Sequence, residues 1–264
     1  MDTSLIKSKY LQHDKALQQS LSKIGKAKIP VVFPISHEVL SDFSNRVNKI
    51  FNAIISLASN NNLYCLFILY RSLLEHSYKA FYIFAKLTSE LNDNTAEAYQ
   101  KHLFIAEFLA EQSGILEMED LINENSKKTD FLTFLITKFP ELKGVDKKNQ
   151  AEISAAINQF RLSEVVKFLH ERFSKRNKNK AMAHLFAQTL PEYSHVSTFT
   201  HGGAYASKII EKFSTEDLVQ KEIDRIVKIS LTLCCITKEN VLSTYHPNAM
   251  IPLEITILQE IRKP

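Results

Sequence analysis

The stretch from Leu63 to Ala85, LYCLFILYRSLLEHSYKAFYIFA, is apolar on almost every side for several helical turns. That pattern belongs to a helix enclosed by other helices, because a helix on a surface keeps one polar face for water. Arg71 and Glu75 stand in its middle, four residues apart and about 40° from each other around the helix, so they project from one face and can touch. An isolated buried charge is very costly, so either this face opens on a cavity or the pair has further polar partners brought by other helices. The two are expected to lie buried and paired within reach of the segment from Pro191 to His201.

The rest of the chain reads as helices packed around this one. Its 264 residues are enough for a sizeable core, and 45% hydrophobic with 23% charged residues is an ordinary globular balance. Glycine is scarce, at five residues, which counts against Gly-rich phosphate loops and dinucleotide fingerprints. The seven prolines fall between apolar-periodic runs, as helix breakers do. The fold class expected is all-α, a single large helical bundle around the central buried helix at about 63–85. Its parts are an N-terminal helical arm and linker (1–34), the bundle (35–246) and a C-terminal tail (247–264).

Within the bundle, Val39, Leu40, Phe43, Val47, Ile50, Phe51, Ile54 and Ile55 give the clearest helical period, with Ser36 as the expected N-cap and Asn60–Asn61–Asn62 as the turn into the central helix. Asn94 and Glu97 resemble a capping box that opens a helix ending near Gly114. Shorter helices are expected at 117–122 and 131–139, an exposed loop or subdomain boundary at 141–150, and a helix at 151–173. Pro191 suits a first helical turn and Gly202–Gly203 an end, which predicts a three-turn helix between them, and Ser214 is the expected cap of the last long helix.

A charge of +4 by itself selects neither nucleic acid nor membrane. The three cysteines, Cys65, Cys234 and Cys235, lack CxxC spacing, and the first residues carry no signal-peptide core, so the expected compartment is a reducing cytoplasm. The charge-free run from Ile50 to Tyr70 is divided by three asparagines, and no membrane span is expected. HExxH is absent and no His or Cys pair has metal-site spacing, so neither a metal nor another cofactor is expected.

Two motifs carry chemistry. RSLLE places Arg71 with Glu75, and LPEYSHVSTFTHGG places Ser194, Ser197 and His201 on one face by their i, i+3, i+7 spacing. The mid-helix RSLLE followed by a late Y-S...H segment resembles a bacterial all-helical family that stands beside the HEPN ribonucleases of toxin and phage-defence systems. The resemblance covers about Phe43 to Phe213 and implies a bundle in which Arg71, Glu75, Tyr193, Ser194 and His201 line one polar pocket; it implies no established activity. Arg71 and His76 satisfy the nuclease spacing Arg-x4-His literally, yet five helical residues turn His76 about 140° away from Arg71. His201 is the stronger acid–base candidate, with Arg71 and Glu75 beside it. Tyr193, Ser194 and Ser197 would line the pocket, and the basic run from Arg172 through Lys175 and Arg176 to Lys180 either holds phosphates or completes a helix end. The function expected is metal-independent RNA cleavage in a bacterial defence setting, with RNA as ligand and a second copy or another protein as partner. The alternative is a non-catalytic binding or assembly module whose Arg-Glu-Ser-His network is structural.

Overall fold

A computed structural model of the chain describes residues 3–26, 28, 30–122, 131–138, 155, 157–175, 180–202 and 204–245. The described residues contain helices and no strand, and the fold is all-α. In chain order the helices are α1 (Thr3–Lys26), α2 (Pro34–Ser59), α3 (Leu63–Glu90), α4 (Asn94–Ala98), a π-helical turn (Tyr99–Leu103), α5 (Phe104–Ile122), α6 (Phe131–Lys138), α7 (Leu162–Lys175), α8 (Lys180–Thr200), α9 (Ala204–Glu211) and α10 (Glu216–Asn240), which runs into a 3-10 turn (Val241–Thr244). They form two compact units, 1–95 with 162–264 and 96–161.

In the first unit α3 is the centre, packed by α2, α7, α8 and α10. Leu66, Phe67, Tyr70 and Leu73 of α3 are fully buried, as are Leu40, Phe43, Val47, Phe51 and Ile54 of α2. Enclosure on four sides is why the α3 sequence is apolar nearly all round. Asn62 caps α3 by accepting from the Cys65 N–H at 3.2 Å, and Asn61 before it takes a left-handed φ of 52°, so the asparagine run makes the tight α2–α3 turn.

Several helix ends differ from the expectations. α2 begins at Pro34, and its N-cap residue Phe33 makes no side-chain bond; Ser36 is already inside the helix and buried. The cap comes from a distant part of the chain. Leu91, left-handed at φ 53°, ends α3 and turns the backbone so that the Asp93 carboxylate accepts from the Ser36 N–H at 2.9 Å and the Ile35 N–H at 3.3 Å. A carboxylate at a helix N-terminus satisfies open donors and complements the dipole, so Asp93 does the work expected of Ser36.

Pro191 does not start a helix but sits inside α8. An interior proline removes one backbone hydrogen bond and costs about 3 kcal/mol in an isolated helix. Here Phe186 and Thr189 before it and Val196 and Phe199 after it are all buried, so packing on both sides carries the helix through. The cap of α10 is Thr215, which accepts from the Leu218 N–H, one residue beyond the Ser214 expected. Gly202 follows α8 at φ 60°, a conformation that favours glycine, and there the expected stop is real.

The N-terminal helix α1 docks on α10. Leu17 packs with Phe84 and Leu242, and Leu21 and Ile24 join them. Beside this apolar contact lies a buried charged one. Lys238 and Glu239 are 8% and 2% exposed. Lys238 Nζ donates to the Tyr10 hydroxyl at 3.0 Å and pairs with Asp14, while Glu239 Oε1 lies 2.6 Å from His13 Nε2. The tail 247–264 lies outside the described residues.

In the second unit Gly114 does not end its helix. α5 continues through it to Ile122, merging with the separate piece expected at 117–122, and a Cβ at Gly114 would meet nothing within 4 Å. Phe160 and Arg161 interrupt the single helix expected over 151–173, with α7 starting at Leu162. The loop expected at 141–150 lies outside the described residues.

Candidate functional site

Helices α3 and α8 meet antiparallel along a ladder of polar contacts. Tyr64 donates its hydroxyl hydrogen to the Phe199 carbonyl at 3.0 Å. Arg71 Nε donates to Ser197 Oγ at 3.0 Å, and Arg71 Nη2 donates to the Tyr193 hydroxyl at 2.7 Å. That hydroxyl in turn donates to Glu75 Oε2 at 3.1 Å, and one turn further on the Tyr78 hydroxyl bonds to Thr189 Oγ1. Positions rising along α3 thus meet positions falling along α8, as helical spacing requires of antiparallel neighbours.

Arg71 and Glu75 face the Tyr193 helix as the sequence predicts, but they are neither fully buried nor in close contact. Their side chains are 26% and 28% exposed, and Arg71 Nη2 lies 3.9 Å from Glu75 Oε2. Tyr193 bridges them, and its ring also lies 4.9 Å from the Arg71 guanidinium carbon. Burial is incomplete because the face of α3 between α2 and α8 holds Arg71, Ser72, Glu75, His76 and Lys79, all only half-buried. The nearest cation to Glu75 is Lys79, whose Nζ donates to Oε1 at 2.9 Å. Lys79 did not stand out in the sequence, although its i+4 spacing from Glu75 was available as a signal.

These neighbours set the protonation states. Burial by itself raises the Glu75 pKa, but the bond and charge of Lys79, the Tyr193 hydroxyl and Arg71 together lower it below its ordinary value, so Glu75 is a carboxylate at neutral pH. Burial, and then the Glu75 charge, push the Tyr193 phenol up. The His76 pKa is lowered, chiefly by burial and further by the charges of Lys79 and Arg46. Its Nδ1–H donates to the Ser72 carbonyl at 2.8 Å, and its ring meets Phe43 of α2 edge-on with centroids 6.1 Å apart.

The structure therefore brings together Arg71, Glu75, Tyr193 and Ser197 and adds Lys79. Ser194 is exposed on α8, and His201 is exposed in the turn just after it. His195 is half-buried, its ring 5.9 Å from that of Phe67 and 6.2 Å from that of Phe199. Arg172 is half-buried at the other end of α3, its Nη2 3.4 Å from Thr88 Oγ1. The Lys175 side chain and Arg176 lie outside the described residues. A second ionic cluster, which the sequence did not suggest, joins α8 to α10. Arg225 Nη2 reaches Glu192 and Glu222 at 2.6 Å each, and its Nε donates to Glu222 at 2.9 Å. Two carboxylates on one arginine leave it as a helix fastener.

Among the described residues no group of three or more His, Cys, Asp or Glu is placed to hold a metal ion, and no helix is long and apolar enough to cross a membrane. The three cysteines are free thiols, and burial pushes the Cys234 thiol up to about 12. Set against protein-family models, curated proteins and solved structures, the chain matches none of them.

Proposed function

We propose that the pocket between α3 and α8 cleaves RNA without a metal ion, as a toxin-like or defence protein of the bacterial cytoplasm. One observation carries this reading. Arg71 is held in place by Ser197 and Tyr193 with 26% of its side chain open to solvent, and Ser197 is one helical turn from the exposed His201. A fixed, half-open guanidinium can stabilise the charge that develops on a phosphate, and an exposed imidazole can accept and return a proton. In that reaction His201 takes the ribose 2′-hydroxyl proton and the 2′-oxygen attacks the adjacent phosphorus. The bond to the 5′-oxygen then breaks, and solvent protonates the leaving oxygen. Glu75, kept ionised by Lys79, holds Tyr193 and Arg71 in position.

A second reading is favoured by the same hydrogen bonds. Glu75 accepts from both Lys79 and Tyr193, and Arg71 donates to both Tyr193 and Ser197, which is the pattern of a clasp that fixes helix register in a non-catalytic assembly module. The test is cleavage of varied RNAs by purified protein with and without chelator. Cleavage that survives chelator, is abolished by His201→Ala and persists in His76→Ala supports the first reading. No cleavage of any RNA, or loss in His76→Ala with His201→Ala unaffected, overturns it.

A further inference from the structure

We propose that the solvent face of α5 is a docking surface for an amphipathic helix of a partner protein, one that carries lysine or arginine along the same face as its apolar anchors. The inference concerns the second unit alone and stands apart from the RNA reading above.

Helical geometry defines the face. Gln112 and Leu116 are buried and lie about 160° to either side of Gly114 around the helix, so they mark the inward side of α5. The exposed positions Glu107, Glu111, Gly114, Met118, Leu121 and Ile122 fall within about 100° of one another on the opposite side. Met118, Leu121 and Ile122 are 51%, 79% and 70% exposed. A Cβ at Gly114 would meet nothing within 4 Å, so the backbone of a partner can come close there. Leu11 on α1 and Leu218 on α10 are exposed singly, which is ordinary for a protein surface. Three apolar side chains side by side on one turn make a patch of the kind that binding covers.

Charge selects the partner. α5 carries Glu107, Glu111, Glu117, Glu119 and Asp120 and neither lysine nor arginine. Among the described residues Glu107, Glu111 and Glu117 make no ion pair. On the exposed face the acids Glu107 and Glu111 come first and the apolar residues follow, with Glu111 about 10 Å along the axis from Met118. Such a face repels a phosphate strand, and it repels an anionic membrane, which selects basic residues beside apolar ones. A second copy fits poorly as well. In a two-fold pair of α5 helices, a parallel arrangement sets Glu107 and Glu111 against their own counterparts, and an antiparallel one sets them against Leu121 and Ile122. A helix with apolar anchors at one end of its face and lysine or arginine about two to four turns along the same face satisfies both halves.

The test uses full-length chain and a labelled helical peptide of about 20 residues, long enough to span the face, with leucines on one half of its own face and lysines on the other. A second peptide has glutamates in place of the lysines. Fluorescence anisotropy should show the lysine peptide binding, more weakly as salt rises, and the glutamate peptide binding at least about tenfold less tightly. Leu121→Gln keeps the fold because the side chain is 79% exposed, and it should weaken the lysine peptide by about tenfold or more, as the loss of one buried leucine requires. Glu111→Lys should weaken it by about threefold or more and narrow the gap between the peptides. The controls Leu218→Gln and Asp42→Lys, exposed on α10 and α2, should change neither. No binding of the lysine peptide, equal binding of the two peptides, or equal loss in the controls overturns the docking face. A dimer in sedimentation equilibrium that Leu121→Gln weakens assigns the face to a second copy and overturns the partner helix. Attachment to phosphatidylserine vesicles that Leu121→Gln abolishes overturns it in favour of a membrane.

Discussion

Removing one oxygen atom tests the α3–α8 clasp directly. In Tyr193→Phe the ring stays, with its contact to the Arg71 guanidinium, while two bonds go: the one accepted from Arg71 at 2.7 Å and the one donated to Glu75 at 3.1 Å. Hydrogen bonds to charged groups contribute about 1.5–3 kcal/mol each when dry, whereas exposed ion pairs contribute about 0–1 kcal/mol. With Arg71 and Glu75 26% and 28% exposed, water can take over part of what the hydroxyl did. Arg71 also keeps Ser197, and Glu75 keeps Lys79. The expected loss is about 1.5–2 kcal/mol for both bonds together, well short of the roughly 3–5 kcal/mol that breaking a fully buried charged pair would cost. Thermal unfolding followed by far-ultraviolet circular dichroism should show a midpoint lower by about 3–8 °C, given about 2–4 °C per kcal/mol for a chain of this size. A cycle with Glu75→Gln should be non-additive by about 0.5 kcal/mol or more, because the two residues share a bond. A Tyr193→Phe protein that melts with the wild type, or a strictly additive cycle, would refute the bridge.

Two further expectations follow from other contacts. Asp93→Ala removes the acceptor for the Ser36 and Ile35 amides and should destabilise the chain by about 0.5–2 kcal/mol in urea unfolding, with Asp93→Asn losing less; an unchanged midpoint in Asp93→Ala would remove Asp93 as the cap of α2. Stability should also fall with acid in two stages. The His76 pKa is lowered from 6.5 on folding, so below that pH the unfolded chain binds the proton more readily and stability drops. The Glu75 pKa is lowered from 4.5, so its contribution is complete above that value and disappears as the pH falls through the folded pKa. Urea midpoints measured against pH should flatten in the upper stage for His76→Gln and in the lower stage for Glu75→Gln, and an unaltered upper slope in His76→Gln would contradict the assignment.

The helices α2 and α10 were legible because burial on a helical face repeats every few residues, and α3 because an enclosed helix is apolar nearly all round. Their ends were harder to read where the cap is not local. Ser36 has the side chain of a cap but lies inside the helix, and the group that satisfies the first amides is Asp93, 57 residues from Ser36. Gly114 reads as a helix stop and Pro191 as a helix start from propensity, and both lie inside helices, Gly114 facing open space and Pro191 flanked by buried residues. In the site, Arg71 and Glu75 stood out because they interrupt an apolar run, Ser197 because it shares a helical face with Ser194 and His201, and Tyr193 only through the family resemblance. Lys79 looked like any solvated lysine. Arg225 and Glu192 are drawn from the polar faces of two amphipathic helices, where nothing in either segment announces a contact 33 residues away. The run Thr237-Lys238-Glu239-Asn240 reads as a solvated helix end, although each of its residues is buried.

That buried run ties the order of synthesis to the order of folding. Lys238 and Glu239 find Asp14 and His13 on α1, and the His13–Glu239 contact closes a loop of 226 residues. When α1 leaves the ribosome its partners do not yet exist, so it must wait, polar and only weakly amphipathic, while α2 and α3 are already able to pair as a hairpin of neighbours. A contact between such distant positions forms late, since the entropy of closing the loop comes before any reward. Docking of α1 is then the step that gives Lys238 and Glu239 their partners Asp14 and His13 and joins the two ends of the described chain.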